Sequence, residues 1–360
     1  RNTFGNGDHL MAGYIGSKAV SVNTTSATIS DDLAVGGDII TTSAGTSNVR
    51  VGVSAGSSIE SGGNHNVAVG NEAGTAITTG DGNIVIGFES GHDITTGGYN
   101  LLIGWKAGDK IDTASQNVAI GDGSLSADTK GSKSVAVGSN TLNTQNFTSA
   151  TDAYNVAVGY NAGVAITTGT FNTLVGSLTG DALTTGGRHT LMGYASGSAL
   201  IDPDRNVAFG YGSLQTDTKG TKSTAVGYSA LNTQNFTSAT DSFNTAVGYT
   251  AGESITTGVN NTLVGSLAGD ALTDADSNVA IGYASLSTDT LGSRSIAIGH
   301  GALNEQNFTS ATNVENVAVG YAAGNVITTG FKNTIVGALG YDNLQNGDRN
   351  IAIGYDTTSS

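Results

Sequence analysis

Few residues of this chain are of a type to do acid–base, nucleophilic or metal chemistry, and they are not gathered. The chain has no cysteine, and its five histidines (His9, His65, His92, His189 and His300) are spread over 360 residues. A metal site needs ligands at short, fixed spacings, and neither a His-x-x-x-His pair nor a calcium-loop run of acids occurs. Asp202-Pro203-Asp204 pairs two acids but reads as a turn. Gly131-Ser132-Lys133-Ser134 ends like a phosphate loop, without the upstream glycine such a loop requires. Cleavage of a polysaccharide needs two carboxylates held together, and no such cluster recurs. The reading is of a protein that is not an enzyme, with no catalytic residue, no cofactor and no metal.

Binding chemistry is better represented. Aromatic residues recur at one repeat position: Phe88, Trp105, Tyr160, Tyr194, Tyr211, Tyr228, Tyr249, Tyr283, Tyr321 and Tyr355. Aligned in space they would form a stripe, whose rings could meet sugar faces while the hydroxyls stay in water. The competing reading is packing between subunits or between successive turns. Phe147, Phe236 and Phe308 fall in three near-identical insertions, of which Leu142 to Thr151 is the first. These are expected on exposed loops, where recognition commonly resides.

What must position these residues is a short repeat. Each aromatic follows a glycine that closes an Asn-Val-Ala-Val-Gly pentad or a close variant. These marker glycines run from Gly52 to Gly354, and thirteen of the seventeen steps between them are 17 residues, one is 18 and three are 21. Such regularity predicts an all-β, parallel β-solenoid, a β-roll of about eighteen 17-residue coils, each burying an apolar face on the next. At about 4.8 Å per coil the stack would span about 85 Å.

Within a pentad, Val67 and Val69 flank Ala68, and Val156 and Val158 flank Ala157. Alternation with β-branched residues reads as a short strand. The flanking pair is expected inside the coil and the middle residue outside. The middle residue is Ala, Val, Leu or Ile in every copy but Arg50, so it would leave a long apolar stripe, best covered by packing three copies into a trimeric rod. Segments such as Ala76-Ile77-Thr78-Thr79-Gly80 are expected to form a second strand and turn.

The pentad opens with Asn in fourteen of eighteen copies, among them Asn66, Asn83, Asn155, Asn206, Asn244, Asn278, Asn316 and Asn350. Stacking would align these into a structural amide ladder. Residues 1–46 lie outside the register and read as a lead-in or capping segment, 47–354 as the solenoid, and 355–360 as a short tail.

The formal charge of −15 argues against a nucleic-acid partner. No apolar run is long enough for a membrane span, so no membrane insertion is expected.

The recurring Asn-Val-Ala-Val-Gly and Ser-Val-Ala-Val-Gly cores (Ser134–Gly138, Ser295–Gly299) resemble the head repeats of trimeric autotransporter adhesins. The resemblance implies a left-handed parallel β-roll that trimerises. The 17-residue coil is longer than is typical of those heads, and their coiled-coil stalk and membrane anchor have no counterpart here. Ile29 to Ile39 resembles the start of bacteriophage tail-fibre and virion appendage proteins. The expected function is a structural and adhesive fibre: a tail-fibre-like virion appendage for host attachment, extracellular, self-associating as a homotrimer. Its expected partners are a cell-surface glycan or protein receptor and other virion or filament proteins. The alternatives are a bacterial surface adhesin head and a purely architectural filament with no ligand.

Overall fold

The computed structural model describes residues 45–341 and 345–357. The lead-in read at residues 1–46 falls almost wholly outside them. The described residues belong to one compact unit. Among the described residues there is no helix, and so none long and apolar enough to cross a membrane.

The unit is a parallel β-solenoid. Eighteen three-residue strands, from Val49–Val51 to Ile351–Ile353, form one sheet. Each strand pairs in parallel and in register with its equivalent one coil on, as in Val67↔Ile84 and Ala68↔Val85. The register continues across the 21-residue steps, where Ala136 pairs with Ala157, Ala225 with Ala246 and Ala297 with Ala318. The four extra residues are therefore absorbed outside the main strand. They add three short parallel pairs, such as Gly131–Ser132 with Thr151–Asp152. The second strand expected at Ala76–Gly80 does not form, and this stretch is turn and bend with Ile77 fully buried.

The facing of the pentad is the reverse of the expectation. The middle residue points into the coil: Ala68, Ala157 and Ala280 are all 0 % exposed. The flanking residues face out and are half-buried or exposed. Alternation places the two sets on opposite faces but does not say which face is inside. Parity with the opening Asn decides it. Positions one and three of a strand share a face, and the Asn must point inward to reach backbone groups across the coil.

Each marker glycine from Gly52 to Gly337 sits where coils touch backbone to backbone. A Cβ on Gly227, at φ +141°, would lie 2.0 Å from the carbonyl oxygen of Gly248. No side chain fits there.

The core of an ordinary coil is the middle pentad residue plus one Ile or Leu, such as Ile77, Ile166 or Leu272. Six coils do otherwise. Leu125, Leu142, Leu214, Leu231, Leu286 and Leu303 fill the interior from a position three residues earlier. The Ile position then holds Asp128, Gln145, Asp217, Gln234, Asp289 or Gln306, all buried. The apolar volume is conserved while its origin along the chain moves.

Candidate functional site

The asparagine column is a structural device. Asn66 donates from Nδ2 to the carbonyl oxygen of Gly80 at 2.8 Å, and its Oδ1 accepts the backbone N–H of Asn83 at 2.8 Å. Asn155, Asn206, Asn244, Asn278 and Asn316 make the equivalent donation across their own coils. Asn83 and Asn350 add direct amide–amide contacts to Asn66 and Asn333, at 3.2 and 3.0 Å. Within the stack each side chain thus satisfies one carbonyl of its own coil and one N–H of the next, while the last, Asn350, donates back to Asn333.

His189 stands in one of these slots. Its Nε2 lies 2.8 Å from the carbonyl oxygen of Pro203, and its Nδ1 accepts the N–H of Asn206 at 3.2 Å. The two contacts require the neutral ring with its proton on Nε2. Burial lowers its pKa below the ordinary histidine value.

Where serine opens the pentad, an insertion supplies the missing amide. Gln145 donates from Nε2 to Ser134 Oγ at 3.1 Å and to Asp128 Oδ2 at 2.5 Å, while its Oε1 accepts from Asn155 Nδ2 at 2.8 Å. Gln234 and Gln306 repeat the set with Ser223, Asp217 and Asn244, and with Ser295, Asp289 and Asn316. Burial raises the pKa of all three aspartates, against the opposing pull of hydrogen bonds from the glutamines and from backbone N–H groups.

This arrangement also corrects the reading of the insertion phenylalanines. Phe147, Phe236 and Phe308 are buried, not displayed, at 5–8 % exposure. Their N–H groups donate to Asp128, Asp217 and Asp289. The rings of Phe147 and Phe236 close over Gly131 and Gly220, where a Cβ would meet ring carbon at 2.6 and 2.8 Å. A core lined by Asp and Gln needs an apolar cover, and the phenylalanine supplies it. The exposed tip of the first insertion is Thr148-Ser149-Ala150.

The aromatic column after the marker glycine, in contrast, is on the surface. All ten predicted members are exposed, from Phe88 to Tyr355. Tyr194, Tyr211, Tyr228 and Tyr249 form an unbroken stack with centroids 5.2–5.3 Å apart and planes within 16°. A second stack runs Tyr283, His300, Tyr321 at 5.1 and 5.3 Å. Phe88 stacks on Trp105 at 6.4 Å, with Lys106 Nζ 5.0 Å from the Trp105 ring centre. The rings partly cover one another's faces, so the stacks present ring edges and a row of polar tips to solvent. His300, one residue past its marker glycine like the tyrosines, belongs to the column through its imidazole ring.

A groove of about 380 Å³ lies beside the second stack, lined by Tyr283, Ala284, His300, Gly301, Asn304, Tyr321, Ala322 and Asn325. One wall is the ring stack, and the other carries Asn304 and Asn325. The floor is the residue two past the marker glycine: Ala284, Gly301 and Ala322. A Cβ built on Gly301 meets nothing within 4 Å. Asn304 donates to the carbonyl oxygen of Ala284 at 3.0 Å and to Ser287 Oγ at 2.6 Å, which leaves its amide oxygen to accept.

Two further surface features were not anticipated. The residue before the pentad forms a column in which Lys133 lies over the Tyr154 ring and Lys222 over Phe243, at 5.1 and 4.9 Å. Each lysine is also paired with an aspartate, Lys133 with Asp152 at 2.6 Å and Lys222 with Asp241. These contacts brace adjacent coils. His92, Asp93 and Asp109 come within 4.8 Å of one another from neighbouring coils. The Lys110 ammonium sits on both carboxylates, 3.1 Å from Asp93 and 3.4 Å from Asp109. Burial raises Asp109, whereas in Asp93 hydrogen bonds from His92 and Lys110 outweigh burial and lower it.

No protein-family model, curated protein or solved structure matches the chain.

Proposed function

We propose that this chain is a structural and adhesive fibre, a tail-fibre-like appendage that projects a repeated binding surface toward a bacterial cell. The observation that carries the reading is the exposed ladder Tyr194–Tyr211–Tyr228–Tyr249 on a scaffold whose every coil is locked to the next. Rings left in solvent at regular spacing on a rigid support suit weak contacts that add by avidity. Glycans and protein surfaces on the cell are the proposed ligands, and no catalytic role is proposed.

The fibre is proposed to be a homotrimer. Support comes from the outer face of the sheet, where none of the outward residues of the eighteen strands is charged. Val158, Met192, Ile281 and Val336 on this face are at least 36 % exposed in the isolated chain. An uncharged apolar face this long marks an interface, and a second and third copy offer the same repeat in register. This assembly uses the flanking pentad residues rather than the middle alanine.

The test combines whole-cell binding with light scattering on the wild type and on Tyr211→Ala/Tyr228→Ala/Tyr249→Ala. Loss of binding with an intact trimer supports the adhesive reading. Intact binding with a broken trimer favours the architectural filament.

A further inference from the structure

From Ser177 to Leu339 the residue after the marker glycine and the floor residue that follows it co-vary. Wherever the position after the marker is Tyr194, Tyr211, Tyr228, Tyr249, Tyr283, His300 or Tyr321, the next residue is Ala, Gly, Ser or Thr. At Ser177, Ser266 and Ala338, where the ring is missing, the next residue is Leu178, Leu267 or Leu339. All these floor residues share one backbone conformation, with φ of 57°, 59° and 54° at the leucines against 63° at Gly301 and 49° at Ala322. They also share one hydrogen bond, from the floor N–H to the carbonyl oxygen one coil earlier: Gly301 to Tyr283 at 2.9 Å, Leu267 to Tyr249 at 2.9 Å. The choice between a small residue and leucine is therefore not forced by the backbone. It changes only what stands on the floor.

We infer that the leucines divide the aromatic flank into two bounded sites for uncharged oligosaccharide. One runs over four coils from Tyr194 to Tyr249, between Leu178 and Leu267. The other runs over three coils from Tyr283 to Tyr321, between Leu267 and Leu339. This deepens the adhesive reading and rests on it. At about 4.8 Å per coil the sites have room for about three to four sugar units.

The lining of the second site selects the ligand class. The eight residues around the Tyr283–Tyr321 groove include no acid, lysine or arginine. Ring edges meet the C–H surface of a sugar, and phenolic hydroxyls and the free amide oxygen of Asn304 meet its hydroxyls. An extended peptide would need free backbone groups to add as a strand, and the floor N–H groups are already bonded to the preceding coil. An anionic chain would meet a protein of net charge −15.

The experiment is isothermal titration of the full chain with neutral gluco-, galacto- and manno-configured hexasaccharides and with one acidic hexasaccharide. The wild type should bind at least one neutral probe at two sites per chain. Gly301→Leu installs the residue the fold itself uses at Leu267 in the same left-handed conformation, so it should stay folded with a modestly lowered melting point and lose one of the two sites. Ala322→Leu repeats the test one coil on should Gly301→Leu fail to fold. Unchanged stoichiometry in a folded leucine variant overturns the bounded sites, and preference for the acidic probe overturns the ligand class. Cell binding by the wild type without retention of any neutral probe sinks this inference and leaves the adhesive fibre standing. Absence of both sinks both.

Discussion

His189 Nε2 lies 2.8 Å from the carbonyl oxygen of Pro203, where every other coil uses asparagine or serine. The imidazole reproduces the asparagine pattern, one donor and one acceptor, only while it is neutral. Protonation would turn Nδ1 into a second donor facing the N–H of Asn206. Since burial depresses the folded pKa, the contribution of His189 is present above the ordinary value of 6.5 and lost as pH falls below it. His189→Asn should therefore leave stability at pH 7.5 nearly unchanged and flatten its decline toward pH 5. Urea midpoints of both proteins across that range check this, and parallel curves would contradict it.

The three Asp–Gln networks predict a local cost. Gln234→Ala removes the partner of Asp217 Oδ2 and one partner of Asn244 Nδ2, both buried. Leaving such groups unsatisfied costs about 1–3 kcal/mol each. Gln145→Ala and Gln234→Ala lie in different blocks of coils, so their costs should add within about 0.5 kcal/mol. Chemical denaturation of the two single variants and the double variant measures this.

Arginine separates the two faces of one strand. Ala157→Arg puts an unpaired charge into the coil interior and should destabilise the fold by about 3–5 kcal/mol or more. Val158→Arg, one residue on, points outward and should leave the coil folded while weakening self-association. Circular dichroism melting and light scattering read the two effects apart. Equal loss of folding in both would contradict the facing described above.

Two glycines with positive φ should behave differently. Gly227→Ala places a methyl group 2.0 Å from Gly248 O and should cost more than about 4 kcal/mol, because backbone must move. Gly301→Ala has open space above it and an alanine equivalent at Ala322, so the cost should stay near the left-handed backbone penalty of about 1–2 kcal/mol. Thermal melts of the two variants decide between these values.

Recurrence at a constant step was enough to establish the solenoid, its eighteen coils and the alignment of equivalent residues. Any residue repeated at that step must stack on its copies, so the Asn66–Asn83 contact and the Tyr211–Tyr228 stack were legible before any coordinates. Facing was not. Period-two alternation separates Val156 and Val158 from Ala157 without naming the inner side, and the intuition that valine is inside and alanine outside is wrong for a coil this narrow. Its interior already holds Ile166, and a small residue completes it. The insertion phenylalanines misled for a related reason. An exposed loop and a folded-back cover share the same composition, and only the tertiary structure shows Phe147 closing over Asp128 and Gly131. The groove was hidden because it is a relation between neighbouring columns. Tyr283 and Asn304 are 21 residues apart in sequence and line one groove, and what lies between them depends on how far each side chain stands from a shared backbone.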